Sequence, residues 1–273
     1  MAYADELKPE DSVLAFYATD LRRRREAEGI TQRAFAKAAL MAPSLLNKVE
    51  AGQRLPSREL SEFADEKFGT VDYFTRLWPL VIKYAYPSWF RPFVDLEEAA
   101  RVIRSFEVQV VPGLLQTEEY ARAVLSARRT DRDSVEEHVA ARIERQRILS
   151  RPSPPELWVV LDENVLRRRM GTAEVMRAQL EHLLTAGETP STVIQMVPYD
   201  VGGHAGVGGP FSALTLDEGP DVVYVEGFLQ GQILGEPAHV REATRAYDLL
   251  TADALSPART RKVLSDTLKE LTE

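Results

Sequence analysis

Apolar residues along the first eighty positions recur at helical spacing, and each run is bounded by start and stop signals. Leu14, Tyr17 and Leu21 mark a helix that Asp11 or Ser12 caps and that ends near Glu28, before Gly29. Thr31 is placed to cap a second helix over 32–39, with Phe35, Ala38 and Ala39 inward. After a break at Leu40-Met41-Ala42, Pro43 occupies a first helical position, where its missing N–H costs nothing. The third helix runs over 43–50, with Leu46 and Val49 inward. A fourth covers 58–68 through Leu60, Phe63, Ala64 and Phe68, and a fifth covers 72–83. Beyond Trp89 the pattern predicts helices over 96–105, 117–128 and 134–150, the last with a stripe of Val135, Val139, Ile143 and Leu149. A rigid Pro-rich stretch at 151–155 precedes strand-like runs at 157–161, 192–197, 211–216 and 222–226. Helices at 173–186, at 238–254 and at the chain end complete the set. The chain therefore reads as multi-domain: an all-α helix-turn-helix bundle followed by an α+β domain with a roughly four-stranded sheet. The third and fourth strands are antiparallel across the turn at 217–220. The expected boundaries are 12–75 for the bundle, 76–90 for a helical connection and 91–273 for the second domain.

Two short helices joined by a tight turn within a small bundle form the arrangement that lays its second helix in the DNA major groove. The outward positions of the third helix are Pro43, Ser44, Asn47 and Lys48, side chains that fit base edges or phosphates. Charge supports this placement. The chain has a net charge of −8, but residues 12–58 hold nine basic residues against four acids, a local +5 on an otherwise acidic body. The phosphate candidates are Gln32, at a helix start, and the basic residues Arg22, Arg23, Arg33 and Arg54.

The run Thr31-Gln-Arg-Ala-Phe-Ala, followed by Ser44-Leu-Leu-Asn-Lys-Val-Glu50-Ala-Gly52-Gln-Arg-Leu-Pro56, resembles the Xre/phage-repressor family of DNA-binding domains. The resemblance covers roughly residues 14–71. It implies that Gln32 holds a phosphate and that Ala42, Pro43, Ser44, Asn47 and Lys48 face the bases. Leu40 departs from the pattern, since glycine is usual in that turn. A left-handed leucine costs about 1 kcal/mol, so either the turn differs or packing of Leu40 compensates.

The rest of the composition narrows the function. There is no cysteine, hence no disulfide and no thiolate chemistry, and no cofactor is expected. The most apolar stretch, Leu77 to Ile82, is too short to span a membrane, and the acidic start is no secretory signal, so the expected location is cytoplasmic. The glycine-rich run Val201-Gly-Gly-His204-Ala-Gly-Val-Gly-Gly209 lacks the Lys-Ser/Thr of a phosphate loop and reads first as a backbone turn. His138, His182, His204 and His239 form no metal spacing. His204, Asp162 and Glu163 would be the candidates if the second domain were an enzyme. Asp162 also reads as a helix cap.

Val111-Pro-Gly-Leu114-Leu115-Gln-Thr-Glu-Glu-Tyr120-Ala, Trp158-Val-Val-Leu-Asp-Glu-Asn-Val-Leu-Arg167, Gln195-Met-Val-Pro198, His204 and Val222-Val-Tyr-Val-Glu226 are similar to a large actinobacterial group of Xre-type regulators. That resemblance implies a sensing or partner-binding domain rather than an enzyme, with a small BldB-like protein as one possible partner. Leu114, Leu115, Tyr120 and His204 are its candidate contacts, and the leucines read equally as core. The leading expectation is a homodimeric, sequence-specific regulator of double-stranded DNA. The alternatives are an antitoxin-like protein that sequesters a small neighbouring-gene product, and an enzyme fused to a DNA-binding domain.

Overall fold

The computed structural model describes residues 7–127 and 132–271. The chain separates into two compact units. The first takes residues 1–87 together with a later stretch, 129–141. The second takes 88–128 and 142–273.

The first unit is helical: α1 (Val13–Ala27), α2 (Gln32–Ala38), α3 (Pro43–Glu50), α4 (Arg58–Phe68) and α5 (Tyr73–Ala85), joined by the early part of α8 (Arg132–Arg145). Ser12, Thr31 and Ser57 cap α1, α2 and α4 through their hydroxyls. Its core gathers Leu14, Tyr17, Leu21, Phe35, Leu46, Val49, Leu60, Phe74 and Trp78. Ala36, not Ala38, is the alanine that α2 buries; Ala38 is exposed because its side chain falls on the opposite face. Phe63 and Phe68 are half-buried and pack their rings on Phe35. The Asp65 carboxylate on α4 accepts from Phe74 N and Thr75 N and so caps α5 across the turn. Burial opposes its ionisation, but those bonds and the Thr70 and Thr75 hydroxyls hold its pKa below the usual value.

The first four helices end alike. A left-handed residue follows each, and the next N–H reaches back five residues: Ile30 to Arg25 O, Met41 to Ala36 O, Gln53 to Lys48 O and Thr70 to Asp65 O. Glycine fills the left-handed position at 29, 52 and 69, but Leu40 fills it after α2, with φ 54° and a side chain 96% exposed. The turn is thus unchanged and packing does not compensate. Leu40→Gly is expected to raise stability by about 1 kcal/mol, read as a rise in the denaturation midpoint. An unchanged midpoint would mean the strain is relieved elsewhere.

The second unit is α+β, as the sequence pattern predicts, but its sheet has six strands rather than four. In chain order these are β1 (Ala100–Glu107), β2 (Glu156–Asp162), β3 (Thr192–Val197), β4 (Phe211–Leu216), β5 (Val222–Val225) and β6 (Gln232–Leu234), arranged β3-β2-β1-β4-β5-β6. β1, β2 and β3 are parallel, while β4, β5 and β6 add antiparallel. The helix expected over 96–105 is instead the end of α6 (Arg91–Ala99) running directly into β1. α7 (Glu118–Ser126) is capped by Thr117. The expected helix there ends at Arg128, which lies outside the described residues. α9 (Asn164–Arg167), α10 (Ala173–Ala186), α11 (Pro237–Asp253) and α12 (Pro257–Glu270) complete the unit. One core forms where Phe93, Tyr120, Leu180 and Leu264 meet one face of the sheet. A smaller core forms where Tyr247 and Leu250 of α11 meet Phe106, Val160 and Val197 on the other.

Candidate nucleic-acid interface

A single carboxylate fixes how α2 meets α3. Glu50, at the end of α3 and 3% exposed, accepts two bonds from the Arg25 guanidinium, at 2.6 and 2.9 Å, and one from Gln32 Nε2 at 2.7 Å. Arg25 also donates to Ile30 O, so one buried ion pair ties α1, the α1–α2 turn, α2 and α3 together. Gln32, the expected phosphate residue at the start of α2, has its side chain held in this network. Its amide donates to Glu50 and, at 3.5 Å, to Asn47 Oδ1, and it orients the two helices.

With Leu46, Val49 and Glu50 buried, α3 turns Ala42, Pro43, Ser44, Asn47 and Lys48 outward, and all five are exposed. The Lys48 ammonium and the Arg33 guanidinium have no hydrogen bond or ion pair among the described residues. Of the basic flank, Arg22 pairs with Glu26 at the surface, a contact that contributes little and exchanges readily for a phosphate, while the exposed Arg23 pairs with the buried Asp20 carboxylate. Arg24 bonds Asp20 and lies over the Tyr73 ring, and Arg25 is buried, so the four consecutive arginines divide into two that face solvent and two that hold the fold. Arg54, after α3, faces Glu136 of α8 at 3.4 Å.

In the second unit the expected contact residues part company. Leu114, Leu115 and Tyr120 are at most 4% exposed and belong to the core, so they offer no docking surface. The turn at Gly113 that carries the leucines packs inward because Gln146 Nε2 donates to both Gly113 O and Gln116 O. His204 sits near the surface on the glycine-rich run.

The N-terminal region, residues 17–72, matches a helix-turn-helix domain model, and residues 90–266 match a domain of unknown function (DUF5753). The second match covers more than half of the 273 residues. The chain belongs to the DUF5753 family. Comparison with curated proteins and with solved structures found no match. The helix-turn-helix domain points to a DNA-binding regulator, and the exposed face of α3 lies within it.

Within the DUF5753 domain, His204 and Asp162 meet and Glu163 does not join them. His204 Nε2 lies 3.2 Å from Asp162 Oδ2, and its Nδ1 accepts from Gly206 N at 3.1 Å. Nδ1 as acceptor leaves the ring hydrogen on Nε2, directed at Asp162. Both ring nitrogens are thus engaged. The Asp162 carboxylate also accepts from Asn164 N, a local capping bond. Glu163 turns away to accept from Tyr199 N and Arg167. The glycine run is a backbone turn: a Cβ at Gly206 would collide with the Phe106 ring, against whose edge His204 packs. No group of metal-ligating side chains forms among the described residues, and no described helix is long and apolar enough to cross a membrane.

Proposed function

We propose that the chain is a sequence-specific DNA-binding regulator that acts as a pair of copies, with a DUF5753 domain that senses a small ligand. The observation that carries the DNA-binding half is the outward face of α3, with Ser44, Asn47 and an unpaired Lys48 side by side on a helix that Glu50 locks into its bundle. Ala42 and Pro43 supply apolar contact to thymine methyls, and Ser44, Asn47 and Lys48 supply hydrogen bonds. Arg22, Arg23, Arg33 and Arg54 supply phosphate contacts at the flanks. One such module reads few base pairs, so two-fold pairing with half-sites about one helical turn apart is the economical arrangement.

A regulatory rather than enzymatic second domain is favoured by His204, whose two nitrogens already bond within the protein. Burial of Leu114, Leu115 and Tyr120 removes the contacts through which a small partner protein would be held there, which favours a ligand over an antitoxin-like role.

Selecting bound sequences from a random duplex pool yields the operator. On that operator Lys48→Ala is expected to cost about 1–3 kcal/mol, with a much smaller loss on random DNA. Equal loss on both would reduce Lys48 to a phosphate contact, and an empty selection would remove the reading.

A further inference from the structure

The sheet of the second unit has two edge strands, β3 and β6, and the chain treats them differently. An open edge offers a row of unpaired N–H and C=O groups, which proteins cover, charge or break with proline. β3 is covered. Leu255 N, between α11 and α12, donates to Met196 O at 2.8 Å, and Gln195 Nε2 donates to Leu255 O at 3.0 Å. β6, three residues long, has no such cover. Among the described residues its only backbone partner is β5. Gln232, Ile233 and Leu234 are uncharged, and proline comes only at 237.

The turn that leads into β6 displays two apolar side chains. Phe228 is 93% exposed and Leu229 82%. Glycines bracket them for steric reasons: a Cβ at Gly227 would strike Gln230 O, and one at Gly231 would strike the Tyr224 ring. Tyr224 is itself fixed, with its OH donating to Glu226 Oε2 at 2.6 Å and its ring stacked on Phe93. Packing therefore holds the turn, and the tip is presented rather than slack. Phe228 and Leu229 leave roughly 300 Å² of surface in water, more than a third of the about 800 Å² per partner that a stable pair covers.

The charge pattern names the occupant. Charged residues make up 28% of the chain, yet 227–235 holds none, and Glu226 and Glu236 bound it. A two-fold contact sets residues near the axis against their own copies, so a surface that pairs with itself must carry no like charges there. The neutral stretch meets that condition. Antiparallel pairing of two copies about Ile233 sets Gln232 against Leu234. It carries Leu229 and Phe228 of one copy towards Pro237 and Ala238 of the other, both exposed at the start of α11. Glu236 then falls opposite Gln230 rather than another acid. We propose that β6 and the Phe228-Leu229 tip form the surface through which two copies of this chain pair, joining their sheets into one. The proposal rests on the paired reading above and gives that pair its surface.

Sedimentation equilibrium on the full chain without DNA tests this. The parent chain is expected to dimerise at micromolar concentration. Replacing the tip, Phe228→Ser with Leu229→Ser, is expected to raise the dissociation constant at least about tenfold. The denaturation midpoint should stay unchanged, because both side chains are exposed. Gln232→Lys and Gln232→Glu each set like charges across the axis and are expected to weaken the pair about threefold or more. An equal mixture of the two should restore pairing as a mixed dimer, a rescue that a damaged fold would not show. Val71→Ser, at another exposed apolar residue, in the first unit, serves as the unchanged control. A parent dimer that the tip and edge variants leave intact, or a loss that mixing does not restore, overturns this surface and leaves pairing to be sought elsewhere on the chain. A monomeric parent chain overturns the surface and the pairing together. The duplex selection above reads α3 separately, so DNA recognition stands or falls apart from both.

Discussion

Glu50→Ala is expected to destabilise the first unit by about 3–5 kcal/mol, the usual cost of stranding one member of a buried ion pair. The loss is large because Glu50 serves two donors. Its removal leaves the Arg25 guanidinium, 5% exposed, with a buried charge and only Ile30 O and the surface Glu26 nearby. It also frees the Gln32 amide, and with it the constraint that sets α2 against α3. Chemical denaturation of this unit should show the midpoint fall, and affinity for the operator should fall beyond what reduced folding explains. The double replacement Arg25→Met with Glu50→Leu is the informative partner. Apolar residues of similar volume often substitute for a buried pair at little cost, so the double variant should recover most of the stability. It should not recover DNA binding if Gln32 is what aims α3. A single-variant loss under about 1 kcal/mol would mean that water reaches Arg25 in its place.

Arg145→Met is expected to cost about 3 kcal/mol at neutral pH and much less near pH 4. Burial raises the pKa of Glu97 above its ordinary 4.5, and Arg145 opposes the rise. An acid whose folded-state pKa lies above its unfolded value stabilises the fold at low pH, and that contribution is lost as pH rises through the folded value. Without Arg145 the folded value climbs further. The variant should therefore match the parent where Glu97 is protonated in both states and fall behind as pH increases. Urea titrations at several pH values read the difference directly, and a cost independent of pH would assign Arg145 to packing on Phe90 alone.

Much of the first unit was legible because each helix carries its own punctuation. Hydroxyl caps at 12, 31 and 57 and Pro43 mark the starts, and glycines mark most of the ends. The outward face of α3 followed from helical spacing of its apolar residues Leu46 and Val49. Partners distant in the chain were not legible: nothing local reveals that Glu50 collects both Arg25 and Gln32. In the second unit β3 and β4 matched end to end, while β1 read as helix. The residues Leu96-Glu-Glu-Ala-Ala favour helix, and no glycine or proline marks the change at Ala100. β6 is three residues long, too short for an alternating pattern. The polar surroundings of Glu107 were invisible as a whole, since residues 97 and 145 come from helices and 107 and 226 from the ends of β1 and β5.

The first unit includes 129–141, returned to it after the second unit has begun. Tyr86 OH, in a buried residue, donates to Ala141 O, and Val135 and Val139 of that stretch are buried. The protein consequently has no single scissile point that yields two intact halves. A fragment cut after Pro87 would lose the acceptor of Tyr86 and two buried valines. A fragment beginning at Ser88 would carry an apolar helix segment without the unit it belongs to. During synthesis the first unit is complete only once residue 141 has emerged, well after the chain of the second unit has begun.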